Sequence, residues 1–264
     1  NLPAGIGTNE IISLDGLEPT HDRFRGVRGA FQQALAGLRN CREAGLKVGL
    51  RFTINRRNAG EIPGIFELLR QESIPRVCFY HLVYAGRGSK LVASSRMSHE
   101  ETRATVDLIM NRTRDLHERG KPVEVLTVDN HTDGPYLYQR LLRENPEKAK
   151  SVLTLLRMNG GNSTGLGIGC VSWDGSVHPD QFWRHYTAGN VTQKPFSEIW
   201  GNPTDELLPK LRTRKQYLEG RCAQCKWLDI CNGNFRVRAE AITGNVWAPE
   251  PDCYLSDREI GLES

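Results

Sequence analysis

The sequence predicts an α/β protein that ends in a small cysteine-rich α+β domain. Three observations carry this expectation. Over the first 95 residues, short apolar runs alternate with stretches of helical periodicity in the order strand, helix, strand, helix, strand. Strands joined through helices run parallel with right-handed crossovers. From about Gly160 the composition shifts to Gly, Asn and Trp with short strands and turns, and five of the seven cysteines fall there.

Element by element, "EIISL" (10–14) is a short apolar strand that ends at the turn pair Asp15-Gly16. In "GAFQQALAGLRNCREAG" (29–45), Phe31, Ala34, Leu35, Leu38 and Cys41 recur at helical spacing, and Gly45 supplies the stop. "KVGLRFTI" (47–54) is the second strand. "EIPGIFELLRQES" (61–73) puts Ile62, Ile65, Phe66 and Leu69 on one helical face, with Pro63 tolerated in the first turn. "RVCFYHLV" (76–83) is the third strand, and the glycine loop "AGRGS" (85–89) follows it. That loop either lets the backbone approach a ligand or simply turns the chain. Cys41 and Cys78 sit inside apolar patterns and read as core residues.

Ser98 and Glu101 form a capping box that opens a long helix, which runs through Val106, Ile109, Met110 and Leu116 to Gly120. "VEVLTV" (123–128) is a strand that ends in the polar loop "DNHTDG" (129–134), and two helical stretches, about 136–144 and 147–158, flank Asn145-Pro146. The expected organisation is therefore an α/β portion over 1–95, a helical connector with one strand over 96–158, and a cysteine-rich domain over 159–264. Three parallel strands make only part of a sheet, so the first portion reads as incomplete.

Composition narrows the function classes. Hydrophobic content of 38% with 25% charged residues describes an ordinary globular chain. No run approaches the ~20 apolar residues of a membrane span, and no secretory signal is present. The net charge of +4 is mild, but 26 of the 35 basic residues are Arg, which suits either a solvated surface or an acidic small molecule. No basic block interleaved with aromatics points to nucleic acid. The first residue is Asn1 rather than Met, which leaves room for a processed product or a fragment.

Cys222-x2-Cys225-x5-Cys231 places three thiols within reach of one centre, and Cys253 closes the set from a distance. Clustered cysteines without a secretory signal read as metal ligands rather than disulfides. Four sulfur ligands suit tetrahedral zinc or an iron–sulfur cluster, and both readings stay open on spacing. Structural zinc usually takes two paired knuckles, whereas here the second pair is a singleton plus a distant cysteine. Cys170 reads as strand packing.

At these residues the chain resembles a known family. "ISLDGLEPTHDRFRGVRGAF" is similar to the fourth strand and following helix of radical S-adenosylmethionine (SAM) enzymes, and the cysteine pattern resembles their auxiliary-cluster region, called SPASM. The strings "GIGCVSWDGSVHPDQFWRHYTAGNV", "PFSEIW" and "CKWLDICNGNFRVRAEAITGNVWAPEPDCYL" look most like the radical SAM enzymes of haem d1 biosynthesis. The resemblance covers essentially the whole chain. It implies a partial (β/α) radical SAM barrel, its last strands only, followed by a SPASM-like domain. It implies one auxiliary 4Fe–4S cluster on Cys222, Cys225, Cys231 and Cys253. The positions of a second auxiliary cluster's cysteines are Phe235, Asp180 and, approximately, Asn162, so that ligand set is absent.

The resemblance also assigns SAM contacts to Ser13, Arg25 and Asn55, although Ser13 and Asp15 equally suit a capped turn. Side chains at the C-terminal ends of parallel strands point into a barrel's mouth, which is consistent with that assignment. His178, Asp180 and His185 in "VHPDQFWRH" are the candidate substrate-binding residues, with His131 a weaker one. No residue is assigned as catalytic. Radical SAM chemistry needs a CxxxCxxC loop for a second 4Fe–4S cluster, and residues 1–264 contain none. The resemblance therefore implies the C-terminal portion of a longer enzyme, inactive alone and completed by a missing N-terminal barrel segment.

In that parent a 5′-deoxyadenosyl radical would remove propionate side chains from a sirohaem-derived tetrapyrrole, with a reductant such as ferredoxin or flavodoxin, in the cytoplasm. The competing readings are a related haem-pathway radical SAM decarboxylase, a peptide-modifying SPASM enzyme and, from another class, a structural zinc-binding module.

Overall fold

The computed structural model describes residues 9–262, in two compact units: residues 9–82 with 93–129, and residues 83–92 with 130–262. The first unit is built on a four-stranded parallel sheet in the order β1 (Asn9–Ser13), β2 (Lys47–Ile54), β3 (Arg76–His81), β4 (Glu124–Val128). The strands are joined through α1 (Glu18–Arg25), α2 (Ala30–Glu43) and α3 (Ile62–Gln71), then through the short α4 (Val92–Ser95) and the long α5 (His99–Glu118).

The local causes are readable. Gly26 takes a left-handed φ of 70° and ends α1. The Asp22 carboxylate accepts the amides of Gly29 (2.5 Å) and Phe31 (2.8 Å), covering orphan donors at the start of α2. Ser98 and Glu101 complete the expected capping box of α5.

Strand order follows chain order with no reversal, so the crossovers wind in one sense. The register aligns Ile12 with Leu50, Leu50 with Val77, and Val77 with Val125. This row joins Phe31, Leu35 and Leu38 of α2, Ile62, Ile65 and Leu69 of α3, and Ile109 and Leu116 of α5 in one apolar cluster. Each fully buried Leu or Ile contributes about 1.5–3 kcal/mol. Phe79 holds Phe52 edge-on and Phe66 stacked, both at 5.7 Å. The alternate residues form a second row, Ser13, Arg51, Cys78 and Leu126, on the other face. On that face the Arg51 guanidinium lies 4.0 Å above the Tyr80 ring. Cys78 is buried, and Cys41 packs against the apolar cluster, as their sequence patterns suggested.

The expected connector over 96–158 does not stand as a piece of its own. α5 and β4 belong to the unit that holds the sheet, because β4 pairs with β3 and α5 covers the apolar row. The two following helices, α6 (Asp133–Glu144) and α7 (Pro146–Asn159), belong to the second unit. Among the described residues, no helix is long and apolar enough to cross a membrane.

The second unit continues with a small antiparallel sheet, β5 (Cys170–Val171), β6 (Ser176–His178) and β7 (Gly189–Asn190). Short helices follow: α8 (Phe196–Gly201), α9 (Leu207–Arg212), α10 (Gly220–Ala223), α11 (Leu228–Cys231), α12 (Arg236–Thr243) and α13 (Asp257–Ile260). Its apolar clusters are small, one around Val83, Trp183, Leu211, Phe235 and Val237, another around Val177, Ala188, Ile199 and Leu208. Arg214, Arg236 and Arg238 are buried among them.

Candidate metal centre

Four loops of the second unit carry the four cysteines. Cys222 lies in α10, Cys225 follows it, Cys231 ends α11, and Cys253 sits in the turn before α13. Asn232, Gly233 and Asn234 all adopt positive φ, 50°, 73° and 56°. Left-handed backbone is cheap for Gly and tolerated by Asn, which accounts for the composition of the turn after Cys231. Arg221 ties the two ends of the set together. It donates to the carbonyls of Cys253 (3.2 Å) and Leu255 (2.5 Å) and to Asp257 (3.0 Å).

All four thiols are free, and Cys225, Cys231 and Cys253 each sense the charge of others in the set. Burial pushes the Cys231 thiol up to about 12, with the neighbouring Cys225, Cys222 and Cys253 adding to the shift. Burial likewise pushes Cys253 to about 11 and raises Cys225. Among the described residues, no three Cys, His, Asp or Glu side chains gather as a group that could hold a metal ion.

Each sulfur receives a backbone N–H. Trp227 donates to Cys225 at 3.4 Å and Glu250 to Cys222 at 3.3 Å, while Gly233 and Leu255 serve Cys231 and Cys253. For three of the four, the donor lies two residues beyond the cysteine. Such bonds favour thiolate over thiol and are the kind that tune a thiolate-bound centre. The donor set therefore fits a four-thiolate centre: sulfur ligands within one another's field, with amides aimed at the sulfurs.

The positions expected to have lost a second set of cysteines come together around different chemistry. Arg214 donates to Asn162 Oδ1 at 2.6 Å, to the Leu211 carbonyl at 2.7 Å and to the Thr164 carbonyl. Asp180 accepts from the Thr164 hydroxyl and from the Phe182 amide. Burial first of all raises the Asp180 carboxyl above the usual range and pushes Arg214 down to about 10. Phe235 packs edge-on against Phe182 at 5.7 Å and stacks on His131 at 5.9 Å. An amide, a carboxyl and a phenyl ring stand at the positions that would carry a second set of thiols, and a guanidinium bonds to the amide.

The other expected site residues separate into engaged and available groups. In the first unit, Arg25 and Asn55 lie near the C-terminal ends of β1 and β2. Asp15 bridges Arg25 (2.5 Å) to the Thr53 amide (2.9 Å), and Asn55 accepts the Arg57 amide at 3.0 Å within its own turn. Ser13 lies on the face shared with Arg51. In the second unit, His178 is not available as a substrate ligand. Its Nδ1 donates to the Tyr186 carbonyl (2.6 Å) and its Nε2 takes the Ser172 hydroxyl (2.9 Å). Asp180 is engaged as described. Both are buried and hold the hairpin. His131 is partly buried, and desolvation lowers its imidazole to about 4. His185 remains half exposed, bonded through Nε2 to Glu240 at 2.8 Å. Arg184 and Glu240, which line the same cavity as His185, carried no motif in the sequence.

Comparison with known proteins places this geometry. Residues 167–226 match the SPASM iron–sulfur cluster-binding domain, a span that includes Cys222 and Cys225 and stops before Cys231. The chain is 65% identical over 253 residues to Fe-coproporphyrin III synthase of Methanosarcina barkeri, covering 95% of this chain and 63% of that protein. It is 42% identical over 261 residues to pre-heme d1 synthase of Dinoroseobacter shibae, covering 98% of this chain and 64% of that one. It thus spans a little under two thirds of the length of these relatives. Among solved structures, anSMEcpe with bound AdoMet superposes with a TM-score of 0.68 over 96% of this chain and 63% of that chain, at 15% identity, which speaks to the fold alone. The chain is a relative of the radical SAM enzymes that carry a SPASM iron–sulfur cluster-binding domain.

Proposed function

We propose that this chain supplies the auxiliary-cluster domain and the last barrel strands of a radical SAM enzyme that acts on an iron tetrapyrrole in the haem pathway. The four charge-coupled, amide-supported thiols carry the reading. They hold one 4Fe–4S cluster, and their spacing supports it. A cubane keeps its four irons apart, which suits one CxxC with a singleton and a distant cysteine, whereas structural zinc usually takes two paired knuckles. The sheet supports the barrel part, because consecutive strand order with helices on one face is the winding of a (β/α) barrel and not of a doubly wound sheet.

The 65% identity to an Fe-coproporphyrin III synthase favours that branch of tetrapyrrole chemistry. The haem d1 branch, removing propionate side chains from a sirohaem-derived tetrapyrrole, is the second reading and rests on the lower 42% identity. When bound, AdoMet and its own cluster supply hydrogen abstraction, and the auxiliary cluster supplies an electron acceptor or an anchor for the pocket. This chain's residues do the positioning. Arg25, fixed by Asp15, and Ser13 and Asn55 at the strand ends would meet AdoMet, while the amides of residues 227, 233, 250 and 255 set the charge on the sulfurs. An N-terminal barrel segment and a reductant such as ferredoxin or flavodoxin complete the enzyme in the cytoplasm, where clustered thiols stay reduced.

Anaerobic reconstitution tests this. The expected content is about four irons and four sulfides per chain; one zinc in their place overturns the cluster. Cys222→Ala or Cys253→Ala abolishes the cluster spectrum, and Cys170→Ala leaves it intact. The isolated chain, which contains no CxxxCxxC, yields no 5′-deoxyadenosine from AdoMet and dithionite.

A further inference from the structure

A cavity of about 680 Å³ opens within the second unit. That volume lies in the range that takes cofactor-sized ligands. One part of its lining is apolar, from Tyr84, Phe182 and Val237, and another part is Arg184, His185 and Glu240. The two basic residues directly follow Trp183, whose indole is almost wholly buried and anchors the segment. The imidazole of His185 stacks on that indole at 5.6 Å with the planes 25° apart, and Glu240 holds its Nε2 at 2.8 Å. The Arg184 guanidinium lies over the Trp173 ring, 4.7 Å from its centroid. Among the described residues it has neither an ion pair nor a hydrogen bond. Glu240 is answered by His185, so among the described residues of the lining Arg184 is the cation left over.

Each polar group is therefore oriented before any ligand arrives, which lowers the entropy cost of using it. A guanidinium held in a plane presents its paired donors to a carboxylate. The apolar part suits a flat hydrocarbon edge. We infer that this cavity binds the carboxylate-bearing edge of an iron tetrapyrrole, with Arg184 clamping one carboxylate and Phe182 and Val237 packing against the ring. The assignment rests on the tetrapyrrole reading above and names its subsite.

The test is a titration of Fe-coproporphyrin III into the whole cluster-loaded chain, followed by Soret absorbance, alongside its tetramethyl ester. Arg184→Ala is expected to weaken the free acid roughly 10- to 100-fold, the scale of a lost charge-assisted hydrogen bond. The ester is expected to lose a similar factor against wild type and to gain no further loss in the variant. Val237→Trp, which fills the apolar part, weakens both ligands, and Arg184→Lys recovers part of the affinity. Thermal unfolding and cluster content of each variant are measured in parallel, so that a misfolded variant is replaced by the ester comparison in wild type. If the free acid binds wild type, Arg184→Ala and Val237→Trp equally, the cavity assignment falls and the tetrapyrrole reading stands. If no iron tetrapyrrole binds to the cluster-loaded chain, both fall.

Discussion

The two units fill their interiors with opposite kinds of side chain. The sheet unit is closed by Leu, Ile and Phe, with Leu38, Leu50, Phe52, Ile62, Ile65 and Phe79 inaccessible to solvent. The second unit has short elements and small apolar clusters, and it buries Arg214, Arg236 and Arg238 as completely as the first buries leucine. Arg238 donates to Glu250 at 2.8 Å and lies 3.6 Å from Asp252, while Arg236 reaches Glu250 only at 3.7 Å. Arg236 Nε and Nη2 and Glu250 Oε2 are left without a hydrogen bond. Desolvating such charges costs about as much as their attraction returns. Apolar area stabilises the first unit. The second depends on mutual fit of charges and, in our reading, on the cluster that its loops surround.

That contrast can be broken by mutation. Glu250→Ala removes the carboxylate shared by two buried guanidinium groups and is expected to cost about 3–5 kcal/mol. Alanine keeps the amide that supports Cys222 and the carbonyl that accepts the Cys253 amide, but it removes the carboxylate that ties this stretch to Arg238, so iron retention should fall as the stretch loses its course. Leu50→Ala opens a cavity in the sheet core and is expected to cost about 2–5 kcal/mol by denaturant unfolding, with iron content unchanged. If both variants lose iron alike, the two interiors are not independent and the comparison fails.

Acid sharpens the same contrast. Partly buried His131 stays neutral down to about 4, whereas an unfolded imidazole takes its proton near the ordinary 6.5. Above pH 6.5 both states are neutral and the group contributes no slope. As pH falls from 6.5 to 4 the unfolded chain binds the proton first, and stability drops by up to about 3 kcal/mol. His131→Gln flattens that part of the stability–pH curve for the second unit. The smallest effect expected is Ser98→Ala, which removes one side of the α5 capping box and costs about 1 kcal/mol in the first unit alone.

Legibility in the sequence followed the same division. β2 was readable to the residue over Lys47–Ile54, and α2, α3 and α5 to within about two residues, because one apolar face dominates each pattern. α1 was not read from periodicity, since its Glu18–Arg25 stretch buries only His21. The loop expected over 129–134 gives way to α6 at Asp133, where a polar start hid the helix. In the second unit the cysteine spacing was legible and its support was not. Strands two or three residues long carry no period, and nothing in composition separates the three buried arginines from those on the surface. His178 and Asp180 looked like ligands because polar residues beside an aromatic run suggest a site; the fold spends their hydrogen bonds on its own hairpin.

The amides that point at the sulfurs have an evolutionary consequence. Main-chain N–H groups at 227, 233, 250 and 255 survive every substitution except proline, so side chains around the cysteines can drift without retuning the centre. In our reading of the site, electron affinity in this region is inherited with the path of the chain, and lineages whose sequences have diverged can keep a common redox set-point as long as the loops keep their course.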